Sequence, residues 1–579
     1  MEPSEKSHEA LDEASNKEVQ PSVSSRSSRG KTPEHDGGQI QPTQTNASEI
    51  VYPSTAKTAV IMLCLYISMF LVALDRTILA TAVPRITDSF HSIDDIGWYA
   101  SSYMLTACGF ILVYGRVYTF YNTKWVFLSG IILFEVGSAI SGAAPNSTAL
   151  IIGRAIAGFG SSGIFTGAIT IMINTVPLHK RPMYQGLFGA TFAIASVVGP
   201  LLGGAFTDSK ATWRWCFYIN LPLGGIVVTF LTFFLHLNEK EKKKVTLKEQ
   251  FMKLDPLGTL FFLPSIVCLL LALQWGGTKY DWSSWRVILL LVIFAAGFVA
   301  FVIVQAITRN TTATIPSRII LQRSVIFSAI YTFFNGSVFM TEVYYIPIWF
   351  QAIKGSSAVH SGIQSIPLVL SLVTLAMLCG ILVQRFGYYT PFMWCGSVIM
   401  TVGTGMIHTW KVDSGHNEWI GYQVLLGIGI GMGMQQSNLA VQTVLQHRDV
   451  PTGSALIFFC QTLGGAVFVS VGQNVFLKKF AGQLRQLPAG VLNMQTLLNT
   501  GATEIRNVVP PQYRDQVIRS YNYALMNGPM LVCIILACIT FVGALGVEVR
   551  STKEQLKKKQ AAAQQQQNEK QDIEKEAES

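Results

Sequence analysis

Runs of apolar residues about twenty long recur along the chain, separated by short polar turns. Fourteen can be drawn, at 58–82, 97–116, 124–144, 149–174, 186–206, 214–236, 258–275, 286–307, 325–350, 362–383, 391–409, 419–440, 453–476 and 524–547. About twenty helical residues cross roughly 30 Å of hydrocarbon. The pattern therefore predicts an all-α polytopic membrane protein. It stops at both ends. The first fifty residues are polar and Ser-rich, which predicts a disordered tail over 1–56 with no cleavable signal peptide. The stretch 548–579 is charged and Gln-rich and predicts no packed domain.

Composition agrees. Of 579 residues, 50% are hydrophobic and only 13% charged, against about 25% charged in soluble domains. The net charge of +10 does not imply nucleic acid, because the basic residues sit mostly in loops between spans, where they set orientation. With the N-terminal tail in the cytosol, the inner loops hold Lys124, Lys180, Arg181, six lysines between Lys240 and Lys253, Arg309, Arg318, Arg323, Arg385 and Arg448. The first outer loop carries Asp88, Asp94 and Asp95 instead. Both tails are then expected inside. The long basic segment 477–523 falls outside, and long loops obey the charge rule poorly. Of the glycosylation sequons, Asn46 and Asn310 fall inside and Asn335 within a span, leaving Asn146 as the outward-facing acceptor. The nine cysteines show no metal-ligand spacing and read as small core residues. No metal or cofactor is implied.

The chain echoes itself at a spacing of about 265 residues. Gly115–Trp125 follows span two, and Gly380–Tyr389 follows span ten. Span four carries Gly158, Gly160, Gly163 and Gly167; span twelve carries Gly427, Gly429, Gly431 and Gly433. A shift of eight spans implies two six-helix halves with two helices inserted between them. The layout is then an N-terminal half at 57–237, a linker at 238–257, inserted helices and an inner loop at 258–323, and a C-terminal half at 324–547. Parallel repeats of this kind are a transporter architecture with its site near the midplane.

Few ionised residues interrupt the spans: Asp75, Arg76, Glu135, Arg154 and Glu342. A charge at the bilayer centre costs at least about 2.5–3.5 kcal/mol on insertion scales, so it faces a cavity or a partner. Asp75 and Arg154 lie at similar depth, roughly 10 Å from the outer end at 1.5 Å per residue. They are expected to share a cavity in which Asp75 takes and releases a proton; the other reading is a static pair that fixes packing. Arg76 points elsewhere and is expected to snorkel or pair locally. Glu135 reads as a second proton carrier, a substrate contact, or a carboxyl hydrogen-bonded to a neighbouring helix. Glu342, beside Tyr344 and Tyr345, suits a cationic or amphipathic substrate, or else sits among core aromatics. Gln435, Gln436 and Asn438 either bind substrate or hold helices together. Gly199, Pro200, Gly203 and Gly204 allow close approach and a bend. Trp213, Trp215, Trp282 and Trp285 read as interfacial anchors.

These segments resemble the major facilitator superfamily, specifically its fourteen-span drug:proton antiporters of the fungal toxin and multidrug exporter type. The resemblance covers roughly 55–550. It rests on Leu74-Asp75-Arg76-Thr77-Ile78 with Ala82-Val83-Pro84-Arg85-Ile86, on Gly153–Gly160 around Arg154, on Gly199-Pro200-Leu201-Leu202-Gly203-Gly204, on Trp213–Pro222 and on Gln351–Ala358. It implies the major facilitator fold, an acid at Glu135 in many fungal members, and a span-five motif associated with export. It also implies a gate at the loop after span two, where the family carries an Asp four residues after its Gly. Here Thr119 stands at that place after Gly115, so only Arg116 and Lys124 keep the charge pattern.

Arg29-Gly30-Lys31-Thr32 is similar to the end of a phosphate-binding loop, but Ser25 replaces the required first Gly and no strand precedes it. With no nucleotide-binding domain, energy is expected from an ion gradient. No paired-His metal motif or hydrolase elbow is present, which argues against an enzyme. The expectation is a plasma-membrane, proton-coupled exporter of amphipathic small molecules that works as a monomer, its partners being substrate, protons and lipid. An importer of solutes such as iron chelates, or a non-transporting sensor, are the alternatives.

Overall fold

In a computed structural model of the chain, residues 53–91, 95–235, 252–277, 279–309, 311–485 and 509–554 are described, with Glu249 and Ala561. The expected N-terminal tail, most of the 238–257 linker, the middle of 477–523, most of the C-terminal tail, and Asn46 and Asn310 lie outside the described residues.

The N-terminal half contains α1 (Thr55–Phe90), α2 (Ile96–Phe120), α3 (Thr123–Ala143), α4 (Ser147–Thr175), α5 (Arg181–Asp208), the short α6 (Trp215–Tyr218) and α7 (Asn220–Phe234). The inserted pair is α8 (Pro256–Trp275) and α9 (Trp285–Ile307), followed by the short α10 (Ser317–Ile320). The C-terminal half has α11 (Arg323–Trp349), α12 (Ala358–Gln364), α13 (Ile366–Phe386), α14 (Thr390–His408), α15 (His416–Gly433), α16 (Gln436–Val444), α17 (Val450–Leu484), α18 (Pro511–Leu525) and α19 (Leu531–Gly546). No β-strand occurs among the described residues. Helices dominate because hydrocarbon cannot satisfy a backbone polar group, whereas a helix satisfies its own.

Thirteen helices among the described residues are long and apolar enough to cross a membrane. The remaining expected span, 419–440, is broken at Met434–Gln435 into α15 and α16. The last span is kinked too, at Gly528-Pro529 between α18 and α19. The polar segment 477–523, expected as a loop, is helical at both described ends. Its apolar residues recur at helical spacing: Phe476 and Phe480 pack on Tyr521, with ring centroids 4.8 and 5.1 Å away. Leu484, Val517 and Ile518 are buried in the same cluster. The surrounding charges hid that pattern.

Helix ends explain several basic residues. Arg214 donates to the carbonyls of Gly142 and Ala144, both at 2.8 Å, closing the C-terminus of α3. Arg181 does the same for α4 through Val176 and Ile173. A cation on terminal carbonyls also matches the helix dipole. Trp213 is not an interfacial anchor. It is buried against Phe90 and Phe217 and donates its indole N–H to Ser89. Trp215, Trp282 and Trp285 are exposed.

The glycines set the packing, in the same way in both halves. A Cβ on Gly158 would overlap Tyr103 and Thr106 of α2, and one on Gly160 would overlap the backbone of Phe134 on α3. In the second half, Gly427 and Gly431 face Leu368 and Leu372 of α13, while Gly429 faces Met400 of α14. Each central helix thus presents alternate glycines to two neighbours, which lets backbones touch without side chains between them.

Asp255 anchors the inserted pair. Its carboxylate accepts from Gly258 N at 2.9 Å, Gln305 Nε2 at 2.6 Å and both N and Oγ1 of Thr314 at 2.9 and 2.7 Å. One residue thereby ties the start of α8 to the end of α9 and to the following turn. Arg116 of α2 donates to Lys253 O at 2.9 Å and joins this knot to the N-terminal half.

Gly160→Ala is expected to destabilise the fold by about 1–3 kcal/mol, the cost of overpacking a tight contact. Gly225→Ala, whose Cβ would meet nothing within 4 Å, is expected to leave stability unchanged. Thermal melting of detergent-solubilised protein followed by size-exclusion chromatography reads the difference.

Candidate functional site

The hydroxyl- and glycine-rich faces of α1, α3, α4 and α7 close on an ion pair. Arg154 Nη1 lies 2.5 Å from Asp75 Oδ2, and both side chains are essentially shut off from solvent. Arg154 Nε donates to Tyr99 O at 3.0 Å, and its guanidinium lies 4.5 Å from the Tyr103 ring and 5.8 Å from that of Phe217. The second carboxylate oxygen of Asp75 accepts from Asn220 Nδ2 at 3.4 Å; Asn220 also donates to Ser138 Oγ at 3.1 Å. Asp75 and Arg154 therefore meet directly. They do not line the central cavity formed by both halves. Asn220 lies in the Trp213–Pro222 stretch; its sequence neighbours gave no sign that it reaches Asp75 from another helix.

One residue on, the helix has turned about 100° and the environment changes. Arg76 does not snorkel. It projects into a central cavity lined by both halves. Its guanidinium lies 5.2 Å from the rings of both Tyr103 and Phe165. Its Nε is buried without a hydrogen-bond partner, and no carboxylate pairs with it among the described residues. Met69, seven residues earlier on the same face, lines the cavity too, with Ile111, Phe165, Phe188 and Phe192 from the same half. The C-terminal half contributes Phe339, Met340, Met434, Gln435, Phe458 and Gln461. Phe192 and Phe339 meet across the halves in an edge-to-face contact of 6.3 Å. The break between α15 and α16 falls at the cavity wall. Irregular backbone at membrane depth is tolerated where it lines a cavity, and discontinuous helices mark many transporter sites.

Of the other expected substrate contacts, only Gln435 reaches this cavity. Gln436 and Asn438 are buried beyond it, and Asn438 accepts from Ser454 Oγ at 2.8 Å. Glu342 is fully buried against Cys533 of α19. Tyr345 donates towards Val469 O and Gln473 Oε1, each at 3.3 Å. Tyr344 lines a separate cavity with Trp98, Trp275, Lys279 and Asn474. Helical phase separates them: Glu342 faces α19, while Phe339 faces the cavity. Glu135 packs on Gly224 of α7, with neither carboxylate oxygen hydrogen-bonded.

Of the expected gate residues, Gly115 and Thr119 lie where the halves touch. A Cβ on Gly115 would sit 2.7 Å from Ala455 of α17, and Thr119 Oγ1 lies 3.3 Å from Thr452 Oγ1. His447 and Asn174 meet across the same end at 2.9 Å. Gly186 of α5 and Gly380 of α13 allow the paired approach of those helices. At the opposite end, Gly199 and Gly203 press α5 onto Thr77 and Thr81 of α1, while Gly204 and Pro200 face Val359 and Gly362 of the other half. Asn146 is exposed and caps α4 through Ala149 N at 2.9 Å.

Residues 65–469 match the family description Major Facilitator Superfamily. The chain belongs to that superfamily. It is 51% identical over 498 residues to the MFS-type efflux pump MFS1 of Trichophyton rubrum, covering 86% of this chain and 92% of that one. It is 48% identical over 502 residues to the efflux pump aflT of Aspergillus parasiticus, covering 86% and 97%. The efflux pump roqT of Penicillium rubens is also 48% identical, over 86% of this chain and 92% of its own. Among solved structures, the proton:xylose symporter XylE superposes with a TM-score of 0.54 over 86% of this chain and 98% of its own, at 13% identity. That last likeness bears on the fold alone.

Removing one partner from a buried ion pair costs about 3–5 kcal/mol, whereas replacing both with apolar groups is often neutral. Asp75→Asn alone is therefore expected to lower the melting temperature of the solubilised protein sharply, and Asp75→Leu combined with Arg154→Met to restore most of it.

Proposed function

We propose that this major facilitator protein exports amphipathic small molecules across the plasma membrane in exchange for protons that enter down their gradient. In this reading it works as a monomer with both tails in the cytosol, and Asn146 is its outward-facing glycan acceptor. The observation that carries the reading is the adjacency of two sites on α1. Asp75 sits in a sealed ion pair, while Arg76, one residue on, faces the aromatic cavity. The names of the relatives, efflux pumps at about half identity over most of the chain, support the outward direction.

The pair is built so that it can part. Asp75 has Asn220 as a second partner, and Arg154 keeps the Tyr99 carbonyl and two ring faces. A tilt of α1 against α4 would leave the carboxylate free to take a proton from outside and the guanidinium still partly satisfied. Closing the pair would return that proton to the cytosol. Glu135 is the second carrier in this scheme, and Thr119 with Gly115 and Arg116 forms the inner gate. Gln435 contacts substrate. Glu342, Tyr345, Gln436 and Asn438 support the packing behind it.

Inverted plasma-membrane vesicles with an acidic lumen are expected to accumulate an amphipathic fluorescent dye, and a protonophore to abolish the accumulation. Depletion from the lumen would identify an importer. The apolar pair variant, Asp75→Leu with Arg154→Met, is expected to be folded yet inactive. A normal rate in that variant would reduce the pair to a packing element.

A further inference from the structure

The central cavity holds one cation and, among the described residues that line it, no anion. Asp75 lies next to Arg76 in sequence but is spent on Arg154. The local balance of Asp75, Arg76 and Arg154 is therefore one net positive charge, displayed by Arg76. The two carboxylates that would suit a cationic ligand, Glu135 and Glu342, lie outside the lining. We propose that Arg76 selects amphipathic aromatic acids, whose carboxylate or phenolate it binds while the ring system lies among the phenylalanines. The inference rests on the reading of this cavity as the transport site.

Tyr103 and Phe165 hold the guanidinium from its faces. Ring faces attract a cation but cannot accept the in-plane hydrogen bonds that five N–H donors offer. The buried, unpartnered Nε marks that shortfall. A carboxylate fits the fork geometry of a guanidinium and supplies the missing charge in one step. Phe188, Phe192, Phe339 and Phe458 provide the apolar bed, and Gln435 and Gln461 of the other half supply amide donors and acceptors for oxygen substituents. A cationic ligand of the same shape would meet a like charge in a low-dielectric space, so the cavity discriminates by repulsion as well as attraction.

Binding tests the inference separately from transport. The purified full chain in detergent is titrated with three anthracene probes of one shape: the 2-carboxylate, its methyl ester and a 2-trimethylammonium analogue. Fluorescence reads the binding that excess unlabelled carboxylate displaces. The acid is expected to bind about ten- to a hundredfold more tightly than the ester, the worth of a charge-assisted hydrogen bond, and the cation weakest. Arg76→Gln is expected to erase that preference and Arg76→Lys to keep much of it. Equal binding of acid and ester by the unaltered chain, tighter binding of the cation, no displaceable binding of the acid, or an Arg76→Gln protein that still prefers the acid would overturn the proposal. Should Arg76→Gln fail to fold, the probe series on the unaltered chain and on Arg76→Lys still decides. In acid-lumen vesicles, an acid that binds but is not moved would sink the exporter reading and leave the selectivity standing. Equal transport of all three probes would do the reverse.

Discussion

Hydrocarbon offers a charge no partner, so every ionised group within a span has to be answered by the protein itself. This chain answers in three ways. Asp75 and Arg154 neutralise each other across α1 and α4. Arg116, near the end of α2, gives one terminal nitrogen to carbonyls of Lys253 and Thr312, on either side of the inserted helices. Arg76 is met only by ring faces and opens on a cavity. The first two arrangements are closed and the third is open. A closed pair can serve as a latch, while an open charge can serve as a receptor, and the two stand next to each other on one helix.

The close glycine packing makes such placement possible. Because α4 meets α2 and α3 backbone to backbone, Arg154 is held within reach of Asp75, the Tyr99 carbonyl and the Tyr103 and Phe217 rings. The same glycine alternation in α15 against α13 and α14 gives the second half a matching rigid core. Rigidity inside each half moves any flexibility to the contacts between them. Those include Gly115 on Ala455, Thr119 on Thr452, Gly186 beside α13 and Gly204 beside Val359. Apolar side chains join them as well: Ile164, Ile169 and Phe188 of the first half share a buried cluster with Ala455, Leu456 and Phe458 of the second, and Phe165 meets Phe458 at 5.8 Å. At Thr119 the contact is a threonine pair, which holds more lightly than an ion pair would.

The helices were legible because span length is fixed by the bilayer and apolar runs stand out against short basic loops. The repeat was legible as glycine spacing, and those glycines are the ones that meet their neighbours. What the sequence could not supply was helical phase. Asp75 and Arg76 are adjacent letters, yet about 100° of rotation places one in a sealed pair and the other in the cavity. Glu342 and Phe339 are three residues apart and face different helices. Tyr344 and Tyr345 part in the same way. The seven-residue step from Met69 to Arg76 is one signal that linked cavity residues, but Met69 carried no charge to draw notice. Amphipathic helices at 476–484 and 511–521 were masked by lysines and arginines on their exposed side.

The inserted helices bear on where substrate choice resides. α9 exposes much of its apolar surface, including Ile288, Leu289, Val292, Val299 and Ile303, as a helix on the lipid side should. The knot at Asp255 and Arg116 fixes the pair at one end; at the other, Trp275 packs on Trp98 of α2 at 6.0 Å and Trp282 donates to Asn474 of α17 at 3.2 Å. Phe262 of α8 reaches Phe459 of α17 at 5.3 Å, yet neither α8 nor α9 contributes a side chain to the central cavity. The polar side chains that helical phase turns into that cavity come instead from the two repeats, among them Arg76 from the first half and Gln435 and Gln461 from the second.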